Sequence, residues 1–139
     1  MEFMAWFSHR FIMHGILWSL HKDHHQHSDG FFERNDSFFL MYAIPSWLLI
    51  EHGMRNGNDW RLFAGLGILA YGLTYFVFHE VFIHQRFAWF RHAKHPYFRA
   101  MRKAHYVHHR VKGKTGASCF GLLFFPRKYY KGELAKRND

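Results

Sequence analysis

The sequence of 139 residues is poor in several features, and each scarcity excludes a class of protein. Its single cysteine, Cys119, excludes a disulfide bond within the chain. It contains no phosphate-binding loop and no Cys-x-x-Cys pair, so it has no recognisable nucleotide site or redox dithiol of its own. No basic segment precedes the first apolar stretch and no small-residue cleavage site follows it, so we expect no cleavable signal peptide.

Acidic residues are also scarce, and the charge is unevenly distributed. The chain has 10 Asp or Glu against 19 Lys or Arg, which gives a formal net charge of +9. Residues 1–85 hold five basic and eight acidic residues, whereas residues 86–139 hold fourteen and two. Such a concentration of positive charge is found on nucleic-acid-binding surfaces. It is also typical of the cytoplasmic side of membrane proteins, and we favour this second interpretation and predict no nucleic-acid partner.

Apolar and aromatic residues, by contrast, are abundant. Hydrophobic residues make up 49% of the chain and aromatic residues 21%, with 17 Phe, which a small soluble domain would bury only with difficulty. The apolar stretches predict an all-α fold, an integral membrane helical bundle formed as one domain by residues 1–139. The predicted helices cover roughly residues 3–25, 36–52 and 60–85, and a basic cytoplasmic tail covers residues 86–139.

Ten of the 14 histidines follow a pattern that occurs twice. Each half of the chain has an H-x4-H pair followed by an H-x2-H-H box, in the same order. Burying so many imidazoles is costly unless they find partners, and ligation of metal satisfies them together. We therefore predict ten metal ligands. They are His9, His14, His21, His24, His25, His79, His84, His105, His108 and His109.

The two spacings predict how these side chains are arranged. On an α-helix, residues i, i+3 and i+4 share a face, so each H-x2-H-H box is expected to point into a single site. Residues five apart are offset by roughly 140° on the same helix. An H-x4-H pair therefore suits two different metals, or one site that other segments complete. Because the first and third predicted helices run in the same direction, all four groups are expected at one depth, on the cytoplasmic side.

The number of histidines bears on the number of metal ions. A tetrahedral zinc takes four ligands at most, so a set this large indicates two metals. Imidazole binds iron, zinc and copper alike, and ligand type alone leaves the metal open. A dinuclear non-haem site in a membrane indicates oxygen chemistry on a lipid-soluble substrate.

Several stretches around the histidines resemble the bacterial β-carotene hydroxylase family, within the membrane fatty-acid-hydroxylase/sterol-desaturase superfamily of di-iron enzymes. These stretches are MEFMAWFSHRFIMHGILWSLHKDHH, FFERND, YGLTYFVFHEVFIHQR and AHYVHHRVKGKTGASCFGLLFFP. Members usually carry another hydrophobic span before the equivalent of MEFMAWF, so we expect that an N-terminal span is lacking here.

The resemblance implies a specific activity, cofactor and location. The activity is hydroxylation of carotenoid β-ionone rings at C3, from β-carotene through cryptoxanthin to zeaxanthin. It requires two non-haem iron ions, O2 as co-substrate and electrons from an external ferredoxin-type donor. The implied location is the inner (cytoplasmic) membrane, where an apolar carotenoid enters from the bilayer and the metal site and C-terminal tail lie on the cytoplasmic side.

Two alternatives remain open at the level of sequence. The first is a related di-iron hydroxylase or desaturase that acts on a fatty acyl chain or a sterol. The second is a non-enzymatic metal-binding or transport protein. A transporter is expected to place its polar ligands along a path across the membrane, whereas the predicted ligands collect at one face.

Two sets of charged residues have candidate supporting roles. Metal-bound imidazoles usually donate their second N–H to a carboxylate or carbonyl, and Asp23 and Glu80 adjoin predicted ligands; a solvated carboxylate is the alternative for both. A basic surface after the third helix is suited to steering an acidic ferredoxin, or instead to contacting membrane lipids. It comprises Arg86, Arg91, Lys94, Arg99, Arg102 and Lys103.

Overall fold

The computed structural model describes residues 1–26 and 30–138, and these residues form helices and loops without a β-strand. Six α-helices, α1 to α6, are joined by two π-helical segments and a short 3-10 turn. The α-helices are α1 (Glu2–Phe7), α2 (Trp18–His25), α3 (Ser37–Arg55), α4 (Trp60–Tyr75), α5 (Pro96–His109) and α6 (Arg127–Asn138). The first π-segment is Ser8–Ile16, between α1 and α2, and the second is Phe76–Ile83, which continues α4. The all-helical prediction is confirmed for this part of the chain.

The predicted helix over residues 3–25 is not continuous. Gly15, near the end of the first π-segment, leaves helical geometry at φ −108° and ψ −112°, and the chain bends there before α2. The other two predicted helices are found with shifted ends, as α3 and as α4 with the second π-segment. Their starts are capped locally, since Asp59 accepts a hydrogen bond from the N–H of Arg61, and Glu33 and Asp36 form a capping box before α3.

The helices α3 and α4 form a tightly packed antiparallel pair. A Cβ atom at Gly65 would lie 2.7 Å from Cγ1 of Ile50 and 2.8 Å from the carbonyl oxygen of Ser46, so only glycine permits this approach. The hydroxyl of Ser46 donates to the carbonyl of Gly65 at 2.8 Å. The backbones of the two helices are therefore in close contact at Gly65 and Ser46.

The outer faces of this helix pair are strongly apolar. Phe39, Trp47, Phe63 and Leu73 are each at least 60% exposed. In the described residues, Trp60–Ile83 is the one helix long and apolar enough to cross a membrane by length and composition. These faces need an apolar environment or partner, because a soluble monomer rarely exposes so large an apolar area.

The segment predicted as a basic tail is folded into α5 and α6. Ala100 and Ala104 of α5 are buried against Tyr129 of α6, and Arg99 pairs with the buried Glu133 at 2.8 Å. The small side chains of Ala100 and Ala104 allow α6 to approach α5 closely, and this packing fixes the position of α5. This packing matters for the site because α5 carries three of the predicted ligands.

A hydrogen-bonded clamp joins the start of the chain to the loop before α6. Oε1 of Glu2 accepts the backbone N–H groups of Leu122, Leu123 and Phe124 at 2.9, 2.9 and 3.1 Å. Its other oxygen accepts the hydroxyl of Tyr71 at 2.5 Å. One carboxylate therefore ties together α1, α4 and a loop that borders the histidines.

Candidate metal centre

The fold brings the ten predicted histidines together in its interior. Nine of them form two clusters, in each of which the candidate ligand atoms lie within 4.8 Å of one another. The first cluster is His9, His14, His21, His25 and His108. The second cluster is His24, His84, His105 and His109. The tenth, His79, adjoins the second cluster, with its ring centroid 4.5 Å from that of His84 and 5.0 Å from that of His24.

The two π-segments explain the H-x4-H spacing. In a π-helix the backbone bonds link residues five apart, so such residues stack on one face. The N–H of His84 donates to the carbonyl of His79, five residues earlier, at 2.9 Å, as expected of a π-helix. His9 and His14 likewise lie in one cluster, with ring centroids 5.3 Å apart. The option that such a pair serves two different metals is wrong for His9 and His14, because it assumed α-helical geometry.

Each H-x2-H-H box is divided between the two clusters. His21 and His25, four residues apart, stay together in the first cluster, whereas His24 points into the second. The box on α5 divides in the same way, with its middle histidine, His108, in the first cluster. The prediction that each box points into a single site is therefore wrong. Each half of the sequence contributes one histidine to the cluster built mainly by the other half.

Seven of the ten rings use Nδ1 to donate a hydrogen bond to the surrounding protein. Four acceptors are backbone carbonyls and three are side-chain oxygens. The carbonyl pairs are His9 with Phe120 (2.9 Å), His14 with Lys114 (3.1 Å), His25 with Val111 (2.9 Å) and His108 with Ser118 (2.8 Å). The side-chain pairs are His21 with Asn35 (2.7 Å), His24 with Glu33 (2.7 Å) and His79 with Glu80 (2.6 Å).

These outward hydrogen bonds leave the Nε2 atoms facing one another inside the clusters. Nε2 of His14 lies 3.1 Å from that of His25 and 3.2 Å from that of His108. A ring that donates from Nδ1 carries a lone pair on Nε2, so these contacts are repulsive unless a cation lies among them. Two nitrogens bound at about 2.1 Å and at right angles to one metal would lie about 3.0 Å apart. The donor set therefore fits a metal ion.

The second cluster has the same requirement for a cation. Nε2 of His24, His79 and His109 is buried, and among the described residues it has no hydrogen-bond partner. Buried polar atoms without partners are rare in native proteins, and a metal would satisfy all three.

Burial also sets the protonation state of rings in both clusters. It lowers the pKa of His108, in the first cluster, to about 3 and that of His105, in the second, well below its usual value, so both rings are neutral near pH 7. The neutral ring is the form that binds metal.

The two clusters differ in their surroundings. The histidines of the first cluster donate hydrogen bonds to neutral carbonyl and amide oxygens. In the second cluster, His24 donates to the carboxylate of Glu33, and the adjoining His79 donates to that of Glu80. Arg86 links those carboxylates, 2.8 Å from Glu80 and 3.2 Å from Glu33. A carboxylate partner makes its imidazole a stronger donor to a metal.

The structure places the two predicted supporting carboxylates differently. Glu80 accepts the Nδ1 hydrogen of His79. Asp23 instead accepts the backbone N–H of Arg34 at 2.6 Å, and within residues 1–26 and 30–138 it has no hydrogen bond to a histidine. Glu33 and Asn35 were not predicted as partners. Their only sequence signal was their place in the FFERND stretch.

The two clusters of buried, inward-facing imidazoles fit a histidine-ligated metal centre. The sequence profile of the fatty acid hydroxylase family matches residues 1–126. The chain belongs to the fatty acid hydroxylase family, and the resemblance noted from its sequence is confirmed.

The relatives most similar in sequence include several β-carotene hydroxylases. A β-carotene hydroxylase of Pantoea ananas is 39% identical over 127 residues, covering 91% of this chain and 71% of the relative. One from Paracoccus sp. (strain PC1) is 36% identical, covering 91% and 78%. The chloroplastic β-carotene 3-hydroxylase 2 of Arabidopsis thaliana is 36% identical, covering 92% of this chain and 43% of the longer plant protein. No solved structure matches the chain significantly.

Proposed function

We propose that the chain is a non-haem di-iron monooxygenase that hydroxylates C3 of carotenoid β-ionone rings, from β-carotene through cryptoxanthin to zeaxanthin. The observation that carries the proposal is the pair of buried clusters with inward Nε2 atoms, in a chain 36–39% identical to bacterial β-carotene hydroxylases. Each cluster would hold one iron, with His79 completing the second.

The reaction balances with an external source of electrons. A ring C–H group, O2, two electrons and two protons give a ring C–OH group and water. Bound iron would supply the activation of O2 and the removal of the ring hydrogen. The protein's own residues hold the Nε2 atoms in place, keep the rings neutral through burial and exclude bulk water from the two clusters.

The electrons would come from a ferredoxin-type donor, because the sequence carries no nucleotide-binding motif. Of the six basic residues predicted for docking, Arg86 and Arg102 are occupied inside the fold. Arg86 pairs with Glu80, and Arg102 donates to the carbonyl of Phe82 at 2.9 and 3.1 Å. Arg99 pairs with Glu133, so the exposed Arg91, Lys94 and Lys103 form the proposed donor surface.

The proposed location is the inner (cytoplasmic) membrane, with the metal centre and the basic C-terminal part on the cytoplasmic side. The apolar helix Trp60–Ile83 and the exposed apolar faces of α3 and α4 support membrane insertion. The concentration of positive charge after residue 85 supports the orientation. Membrane lipids and a carotenoid arriving through the bilayer are then its partners.

Expression in a heterologous host that accumulates β-carotene tests this function. We expect cryptoxanthin and zeaxanthin from the unmodified chain, identified by chromatography with mass spectrometry, and none from His108→Ala. His52→Ala is the matched control, because His52 is exposed and lies outside both clusters. Unchanged β-carotene in the presence of membrane-inserted, iron-loaded protein would contradict the proposal and return the fatty acyl or sterol alternative.

A further inference from the structure

A cavity of about 740 Å³ lies between the first π-segment and the loop that precedes α6. Trp6, Arg10 and His14 form one side, and residues from Lys114 to Arg127 form the other. This volume is within the range of roughly 300–1,000 Å³ that small-molecule sites usually have. The cavity is large enough for a bulky ring and is distinct from the space between the histidines.

The cavity reaches the first cluster and not the second. His14 is the one histidine in its described lining, and it is also a member of the first cluster. Its Nε2 lies 3.1 Å from that of His25, another member of this cluster. A molecule in the cavity would therefore lie next to the first cluster.

The walls are suited to an uncharged ring. Trp6, Phe120 and Phe124 supply aromatic surface, and the ring of Phe120 also packs 5.1 Å from that of His14. The guanidinium of Arg10 lies 5.8 Å above the Phe120 ring. The lining contains no carboxylate in the described residues, and three cations, Arg10, Lys114 and Arg127, take part in it. This composition disfavours a cationic ligand, and the aromatic rings provide surface against which an apolar ring can pack.

We propose that this cavity binds the cyclic end group of the carotenoid, and that the first cluster therefore faces the carbon to be hydroxylated. The inference rests on the proposed function, since it assigns a binding site to that substrate. It also gives the two clusters different roles, with the second, carboxylate-supported cluster turned away from the substrate.

The single cysteine of the chain provides a direct probe of occupancy. Cys119 is partly exposed and lines the cavity, so a maleimide reagent entering the cavity will alkylate it. The experiment uses the full metal-loaded chain in lipid nanodiscs, with and without β-carotene. At about ten times its dissociation constant, β-carotene should slow alkylation roughly tenfold, because it occupies the space the reagent needs.

Two variants control for indirect effects. Asn56→Cys in a Cys119→Ser background moves the thiol to the exposed α3–α4 turn, where β-carotene should leave alkylation unchanged. Ala117→Phe places a ring in the cavity and should abolish both protection of Cys119 and zeaxanthin formation, while iron content is retained. Ala70→Phe makes the same change on the exposed face of α4 and should preserve both.

The outcomes separate this inference from the proposed function. If the unmodified chain makes zeaxanthin but β-carotene gives no protection and Ala117→Phe stays active, the cavity assignment is overturned and the function stands. If β-carotene protects Cys119 but no hydroxylated product forms, the cavity assignment stands and the function fails. Protection by palmitate and not by β-carotene would overturn the assignment in favour of an acyl chain.

Discussion

Nε2 of His14 lies 3.2 Å from Nε2 of His108, although the two residues are 94 positions apart. Each ring donates its Nδ1 hydrogen to a backbone carbonyl, so two lone pairs face each other. The contact joins the first π-segment to α5 and is favourable only around a cation. It therefore makes metal binding and the packing of the two halves of the chain mutually dependent.

Glu33→Ala should weaken the binding of one metal ion and leave the other unchanged. Glu33 accepts the Nδ1 hydrogen of His24, which belongs to the second cluster. Loss of such a partner typically costs roughly 10–100-fold in metal affinity. Iron titration of the purified protein measures both affinities.

Glu51→Ala is the matched control, because Glu51 forms a partly exposed pair with Arg55 remote in sequence from the ligands. Equal weakening of both ions by Glu33→Ala, or no weakening, would contradict the assignment of Glu33 to the second cluster.

The histidine pattern predicted which residues come together, but not which of them belong to the first cluster and which to the second. The repeat of two spacings identified all ten converging rings, because burial of so many imidazoles has few other solutions. The meeting of His9 with His14 depends on the first π-segment, which α-helical periodicity does not predict. The division of each box occurs within the α-helices α2 and α5, where adjacent residues are about 100° apart. His24 and His25 are adjacent in sequence, yet they enter different clusters.

Other parts of the site left little signal in the sequence. Backbone carbonyls such as those of Phe120 and Ser118 can be supplied by any residue, so no side chain marks them. Glu33 lies nine residues after His24, and sequence spacing alone does not predict that the two side chains meet. The helices α5 and α6 were predicted as part of a basic tail because residues 86–139 hold fourteen basic and only two acidic residues, and small buried residues such as Ala100 and Ala104 form no long apolar run.

Glu2→Ala should release the loop over residues 121–124. Three consecutive N–H groups lose a charged acceptor, and hydrogen bonds to charged groups contribute roughly 1.5–3 kcal/mol. Hydrogen–deuterium exchange should accelerate at Leu122, Leu123 and Phe124, and the thermal midpoint in detergent should fall.

Tyr71→Phe is the graded comparison for this clamp. It removes one hydrogen bond to the same carboxylate and leaves the three N–H contacts in place, so we expect a smaller loss, roughly the 1.5–3 kcal/mol of a single hydrogen bond to a charged group. If Glu2→Ala left exchange at residues 122–124 unchanged, the carboxylate would not be holding the loop.

Gly65→Ala should destabilise the α3–α4 pair, whereas Gly67→Ala should not. A Cβ at Gly65 would lie 2.7 Å from Ile50, and overpacking of this kind costs roughly 1–3 kcal/mol. A Cβ at Gly67 meets nothing within 4 Å, and alanine in an open helical position is favoured over glycine by roughly 0.5–1 kcal/mol. Thermal unfolding of both variants in detergent measures the difference, and similar melting behaviour would contradict the close contact.

The metal-free protein should lose stability as the pH falls below about 6.5. Burial lowers the pKa of His108 to about 3 from an ordinary value of 6.5, so between these values the unfolded state binds more protons. Stability contributed by this ring is therefore complete above pH 6.5 and is lost toward pH 3. The free energy of unfolding should depend less on pH in His108→Gln, and an unchanged slope would contradict the buried neutral ring.

The most direct test of two histidine-bound metal sites is the iron content of the purified chain and of two variants, each with two histidines replaced. The unmodified protein should bind two iron ions per chain, measured by inductively coupled plasma mass spectrometry. His21→Ala with His25→Ala removes part of the first cluster, and His105→Ala with His109→Ala removes part of the second. Each pair should leave about one iron, whereas one iron or none in the unmodified chain, or unchanged iron in either pair, would contradict two histidine-bound metal sites.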